Sequence, residues 1–208
     1  MFTGIVQGTA EVAGVTPLGT GLKLRLRFPR GALAAVQVGA SISISGTCLT
    51  VTSYDDDEAS FDVIAETLRC TRFSDLGLGS RVNYERAAAF GDEIGGHLLS
   101  GHVIGCVEVV DRREGEGQID LELRPPVDQL RYILPKGYVA LDGVSLTVGR
   151  VDSTKGVFSV HLIPETLRVT TLCDVKPTDR VHLEVDAMTQ AAVATVERVL
   201  AQRAKGAS

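Results

Sequence analysis

MFTGIVQGTAEV, residues 1–12, lies over LLSGHVIGCVEV, residues 98–109, with glycine on glycine at Gly4/Gly101 and Gly8/Gly105 and Glu-Val on Glu-Val at the end. The match continues without a gap at this shift of 97 residues. LKLRLRFP (22–29) falls on IDLELRPP (119–126), and GTCLTV (46–51) falls on GVSLTV (143–148). Further on the shift becomes 99: IAETLR (64–69) lies over IPETLR (163–168), and Arg81-Val82 over Arg180-Val181. The second half therefore carries two extra residues, assigned to the Asp152–Gly156 loop. A period this long, held over both halves, marks a tandem copy of a domain and not a solenoid or propeller repeat.

Within each half the hydrophobic pattern has a period of two. Residues 22–28 alternate Leu and Phe with Lys and Arg, as a strand with one wet face does. Ser41–Ser45 alternates likewise, and Leu49–Ser53 follows the glycine turn at Gly46. Ile5–Val12, Ser60–Ile64 and Arg81–Glu85 complete a set of six short strands, with a helical turn expected at Gly31–Val36. Six short strands in one half predict a small closed barrel, because closure removes exposed edges. The period changes at the tail. From Thr189 onward Ala192, Val193, Val196, Val199 and Leu200 form a helical stripe, with Glu197, Arg198, Gln202 and Arg203 between them. That stripe needs a partner, either a barrel surface or the same helix of other subunits.

The 208 residues are 44% hydrophobic and 23% charged, which fits one large or two small globular domains. A net charge of −5 without a Lys/Arg cluster argues against nucleic acid or anionic membrane as partner. No apolar run reaches the length of a membrane helix, and the start MFTG lacks a signal peptide's basic residues, so the expected location is cytoplasmic. None of the four cysteines faces a cysteine across the repeat: Cys48 faces Ser145, Cys70 Val169, Cys106 Thr9 and Cys173 Ser74. No duplicated disulfide or metal scaffold follows from them.

A duplicated domain offers two related pockets, suited to two like ligands or to two halves of a symmetric one. Bringing two reactants together in this way removes roughly 7–11 kcal/mol of barrier. Glu66-Thr67 recurs as Glu165-Thr166, a carboxylate and hydroxyl suited to a polyhydroxylated ligand, and Thr50 recurs as Thr147. The halves also differ: Cys48 becomes Ser145, Gly39 Lys136, Ile5 His102 and Ser45 Asp142. Unequal sites allow one ligand to act as donor and the other as acceptor. By residue type alone Cys48 fits inert packing as well as a reactive thiol. Lys136 and Asp142 fit a solvated surface pair as well as a site. His97 and His102 flank the Gly-rich crossover 95–101, and their spacing of five suits no helical metal pair.

MFTGIVQG, GTCLTV, GDEIGGHLLSGHV (91–103), KGYVALDGVSLTV (136–148) and HLIPETL (161–167) together resemble the riboflavin synthase family over essentially the full chain. The resemblance implies an all-β fold of two tandem six-stranded Greek-key barrels, with a C-terminal α-helix and a homotrimer. The implied domains are lumazine-binding barrels at 1–97 and 98–187, then a trimerisation helix and tail at 188–208. It implies dismutation of two molecules of 6,7-dimethyl-8-ribityllumazine per site, giving riboflavin and 5-amino-6-ribitylaminouracil, with an active site between barrels of neighbouring subunits. Neither metal nor redox cofactor is implied. The implied catalytic group is Cys48, His97, His102, Ser145 and Asp186. For the first barrel the implied binding set is Phe2, Thr3, Gly4, Ile5, Val6, Ser41, Cys48, Leu49, Thr50, Asp62, Val63, Ile64, Ala65, Glu66 and Thr67. For the second it is Gly101, His102, Val103, Lys136, Ser145, Leu146, Thr147, His161, Leu162, Ile163, Pro164, Glu165 and Thr166. Backbone near 4–6, 48–50, 101–103 and 145–147 is expected at the ring edge, and Glu66, Thr67, Glu165 and Thr166 at the ribityl chain. Ser45 stands where many relatives have Asn, and Ile104 where many have Asp. Related lumazine-binding antenna proteins share the fold without the activity, so fold alone does not settle function.

Overall fold

The computed structural model describes residues 1–206. The alternating runs of the first half become β1 (Gly8–Leu18), β2 (Gly21–Arg27), β3 (Ser41–Ile44), β4 (Thr47–Tyr54), β5 (Glu58–Val63) and β6 (Arg81–Arg86). They close into an antiparallel barrel in the order β1-β2-β5-β4-β3-β6. In it β3, β4 and β5 follow as hairpins and β6 returns beside β3, which is a Greek key. The second half forms β7 (Gly105–Glu114), β8 (Ile119–Arg124), β9 (Tyr138–Leu141), β10 (Val144–Asp152), β11 (Val157–Leu162) and β12 (Arg180–Val185). Its order around the barrel is β7-β8-β11-β10-β9-β12, the first order with six added to each label. The repeat is therefore a repeat of topology.

Each barrel has its own core. Leu22, Leu24 and Leu26 of β2 point inward beside Phe61, Val51 and Ile42, while Arg25 and Arg27 turn out to Glu58. Complete burial of one such leucine stabilises by about 1.5–3 kcal/mol. The two extra residues of the second half lengthen one hairpin: β10–β11 gains the pair Asp152↔Val157 beyond Val151↔Phe158, the counterpart of Tyr54↔Ala59. Gly31–Val36 is a run of tight turns, with Ala34 N–H on the Gly31 carbonyl and Val36 N–H on the Leu33 carbonyl.

Four elements depart from the expected pattern. β1 starts at Gly8, not Ile5, because residues 2–5 leave the barrel and reach the other half. The ETLR motifs fold as short helices, α1 (Ala65–Cys70) and α2 (Pro164–Val169), outside both cores. The tail helix α3 (Ala187–Gly206) begins ahead of Thr189 because the Asp186 carboxylate accepts hydrogen bonds from the Thr189 backbone N–H (2.8 Å) and hydroxyl (2.6 Å). Of its stripe, Val193 packs on the second core, whereas Val196, Val199 and Leu200 are exposed.

A buried polar seam joins the barrels about a pseudo-twofold axis. The β3–β4 and β9–β10 turns abut so closely that a Cβ on Gly46 would lie 2.7 Å from the Gly143 nitrogen. Asn83 on β6 and His182 on β12 are equivalent in the repeat, and each reaches across. The Asn83 amide donates to the Asp142 carbonyl (2.9 Å) and accepts from the Thr171 N–H (2.8 Å). The His182 ring donates from Nδ1 to the Ser45 carbonyl (2.7 Å) and accepts at Nε2 from the Arg72 N–H (2.9 Å). Asp142 is fully buried here and pairs with the Arg72 guanidinium at 2.9 Å, so it is not a surface partner of Lys136.

Candidate active site

The segments that precede the two barrels decide the site. Phe2 and Leu99, equivalent in the repeat, exchange both backbone hydrogen bonds at 2.9 Å as an isolated antiparallel bridge. Two residues on, each segment meets the opposite barrel. The Gly4 carbonyl accepts the Ser145 N–H and the Gly101 carbonyl accepts the Cys48 N–H, each at 2.9 Å. Both glycines hold left-handed backbone (φ +75° and +78°), and a Cβ would lie 2.5 Å from Ser145 Cβ and 2.6 Å from Cys48 Cβ. Only glycine fits either position.

Alternation on the strands then sorts the side chains. On β4, Cys48 and Thr50 lie on the outer face while Leu49 and Val51 enter the core. Ser41 of β3 is directly opposite Thr50. On β10, Ser145 and Thr147 take the equivalent outer face, and Tyr138 of β9 stands opposite Thr147, in the place of Ser41. The structure thus brings together Ser41, Cys48 and Thr50 with Gly101 and His102 on one surface. On the other it gathers Ser145 and Thr147 with Gly4, Ile5 and His97.

The two surfaces are unequal. His97 Nδ1 lies 2.6 Å from the Ser145 hydroxyl, and its ring stacks on Tyr138 (5.0 Å, 18°). Burial pushes the His97 pKa down, opposed by the charges of Asp186 and Glu184, which leaves a neutral ring able to exchange a proton with the hydroxyl. Its Nε2 is buried without a partner among the described residues. Asp186 is half-buried. Burial raises its carboxyl, but the Thr189 hydroxyl and the Thr189 and Met188 N–H groups outweigh that and hold it below the usual carboxylate range. Lys136 is exposed and left-handed (φ +65°), where the first barrel has Gly39 (φ +91°). Its N–H bonds the Val148 carbonyl as that of Gly39 bonds Val51.

A lumazine binding domain model matches the chain twice, over residues 3–87 and 100–186. The riboflavin synthase of Escherichia coli K12 is 48% identical over 204 residues, which span 98% of this chain and 95% of that one. That of Chlamydia pneumoniae is 41% identical over 205 residues, 99% and 100% of the two chains. The chain belongs to the riboflavin synthase family. Among solved structures, LumP complexed with riboflavin superimposes with a TM-score of 0.81 at 27% identity, over 89% of this chain and all of that one. LumP complexed with 6,7-dimethyl-8-(1'-D-ribityl) lumazine, at 24% identity and the same TM-score, shares the fold.

Other residues expected from the family resemblance fall into several environments. Val6, Leu49, Val63, Leu146 and Leu162 have core side chains and offer a ligand backbone only. Phe2 is buried with Leu99 and Ala140 against Cys48, and Thr3 is buried beneath it. Ile64, Ala65, Ile163 and Pro164 are exposed at the starts of α1 and α2, with Thr67 and Thr166 half-buried behind them and Val103 half-buried beside His102. Glu66 and Glu165 grip Arg69 and Arg168 through paired hydrogen bonds, which lower both carboxyls. Asp62 faces Lys23 at 3.7 Å, and its counterpart His161 faces Asp120 at 2.6 Å, the same cross-strand pair with acid and base exchanged. Sequence reasoning missed Tyr138, Glu85 and Glu184. Tyr138 is readable as the repeat partner of Ser41, and the two glutamates as the fifth residues of RVNYE (81–85) and RVHLE (180–184).

Proposed function

We propose that this enzyme of the riboflavin synthase family binds one 6,7-dimethyl-8-ribityllumazine on each of its two pseudo-equivalent surfaces and transfers a four-carbon unit between them. The products are riboflavin and 5-amino-6-ribitylaminouracil, which together contain all the atoms of two lumazines. The observation that carries this reading is the paired geometry of Cys48 with the Gly101 carbonyl and Ser145 with the Gly4 carbonyl. Two like surfaces suit two copies of one molecule, and His97, Tyr138 and Lys136 at the second make the copies chemically distinct. In this scheme backbone at Gly4–Val6, Cys48–Thr50, Gly101–Val103 and Ser145–Thr147 lines the ring edges. The hydroxyls of Ser41, Thr50 and Thr147 are placed to bond polar groups of the ligand. His97, Ser145 and His102 exchange the proton of the acidic methyl group, Asp186 supports the charge that develops, and Cys48 or water adds to the acceptor ring.

Both surfaces are open to solvent in a single chain, and Val196, Val199 and Leu200 of α3 are exposed there. A homotrimer held by α3, with the first barrel of one subunit facing the second barrel of the next, would cover both. The test is purified protein with the lumazine as sole reactant. One riboflavin should appear for every two lumazines consumed. The superposition on LumP favours one rival, a carrier of lumazine or flavin, which predicts a stable bound fluorophore and no riboflavin.

A further inference from the structure

Glu85 on β6 and Glu184 on β12 are equivalent in the repeat and almost wholly buried, at 3% and 5% exposed. Each carboxylate grips the segment ahead of its own barrel. Glu85 Oε1 accepts from the Thr3 N–H (2.6 Å) and hydroxyl (2.8 Å), and Oε2 accepts from the Gly4 N–H (3.0 Å). Glu184 makes the same three bonds, to the Ser100 N–H and hydroxyl (2.8 Å each) and the Gly101 N–H (3.1 Å). Three charge-assisted bonds partly offset the desolvation of each buried carboxylate, and at Glu85 burial still outweighs them and pushes the carboxyl pKa up. The glycine held in this way turns its carbonyl to the opposite barrel, Gly4 to Ser145 and Gly101 to Cys48. The contacts therefore run crosswise, from a carboxylate of one barrel to a site residue of the other.

We propose that Glu85 and Glu184 are crosswise positioning residues. Glu184 of the second barrel sets the backbone and exposure of Cys48, and Glu85 of the first barrel sets the Ser145–His97 pair. This rests on the reading of those two surfaces as the substrate sites. The carboxylates act through the leading segments, and each is spent on bonds to backbone and hydroxyl donors. Glutamine at either position turns one acceptor into a donor facing an N–H, which loosens the glycine without emptying the site.

The test uses Glu184→Gln and Glu85→Gln in the full chain, with two readouts independent of turnover. One is the rate of Cys48 alkylation by iodoacetamide, resolved by peptide mass spectrometry so that Cys70, Cys106 and Cys173 serve as internal references. The other is the NMR titration of the His97 imidazole. Glu184→Gln should change the Cys48 rate by about threefold or more while the other cysteines keep theirs. It should also lower the His97 pKa directly, because the Glu184 charge supports the imidazolium. Ser100→Ala, which keeps that charge, should change the Cys48 rate and leave the His97 titration in place. Glu85→Gln should move the His97 titration by about half a pH unit and leave the Cys48 rate in place. Each variant disturbing only its own barrel's site, both disturbing both sites equally, or neither disturbing either site would overturn the proposal. Should a Gln variant fail to fold, Ser100→Ala and Thr3→Ala remove one hydroxyl bond each and ask the same crosswise question. Incubation of the wild-type chain with lumazine keeps the two ideas apart: the crosswise pattern without riboflavin would sink the reaction and leave the positioning intact.

Discussion

His182 and Ser45, 137 residues apart in sequence, are joined by a 2.7 Å hydrogen bond from the buried imidazole Nδ1 to the backbone carbonyl. Because Nε2 accepts the Arg72 N–H, the ring is fixed in its neutral form with the proton on Nδ1. A second proton would set Nε2–H against that N–H. Asp142, Arg72 and Arg180 are the charged groups around the ring.

That arrangement fixes the sign of a pH effect. Burial lowers the His182 pKa, with Asp142 opposing, and burial lowers that of His97 as well. The unfolded chain then binds more protons than the folded one just below the ordinary histidine value of about 6.5. The stability these rings contribute is complete above that value and is lost as the pH falls towards the lower folded-state pKa values. Urea midpoints should therefore drop between pH 8 and pH 5.5. His182→Asn, which installs the residue its counterpart Asn83 already uses, should remove part of the drop while His97 keeps the rest. An identical slope in the variant would show that His182 is not the titrating group.

Lys136 yields a prediction with opposite signs for stability and activity. Lys136→Gly relieves a left-handed side chain and should raise unfolding stability by about 1 kcal/mol. On the proposed role of Lys136, turnover should fall by about tenfold or more. Lys136→Ala keeps the strain and should lose turnover without the gain in stability. Urea midpoints and initial rates on the three proteins decide it. A Gly variant with full activity would reduce Lys136 to a surface residue.

What the sequence made legible follows from what a repeat preserves. Strand alternation and the two shifts carry topology, since a register error would turn Leu24 or its counterpart Leu121 to the wrong face. Cys48/Ser145 and Gly4/Gly101 were found by the same comparison. The seam was illegible. Asn83 and His182 differ in residue type, and their partners Thr171 and Arg72 lie 88 and 110 residues away, so no local pattern joins them. Glu85 and Glu184 resemble outward charges on alternating strands until the leading segments are seen to lie over them. Tyr138 is legible only as the repeat partner of Ser41; its importance arises from His97, which has no counterpart in the first half.

Cys48 tests the chemistry at the first surface. Cys48→Ser keeps the size and the hydrogen bond to the Gly101 carbonyl, which is made by backbone. Lumazine affinity, followed by fluorescence titration, should change little, while turnover falls by about ten- to a hundredfold if the sulfur takes part in addition or proton transfer. Unchanged turnover would leave addition to water.

Val196 and Leu200 of α3 are 57% and 58% exposed and one helical turn apart, while Val193 already packs against the second barrel near Tyr132. The helix is tied down further by Arg131 and Glu197 at 3.6 Å. Replacing both Val196 and Leu200 by Asp therefore leaves the barrels and the docked side of the helix untouched in a single chain. In a trimer built on this face, the substitution buries charge without partners at the interface, a cost of several kcal/mol per site. Size-exclusion chromatography with light scattering should report a monomer with unchanged far-ultraviolet circular dichroism. Turnover should fall with it, because each complete site in the trimer draws on two subunits. A trimer mass for the double variant would move the interface away from α3, and a fully active monomer would confine the reaction to one chain.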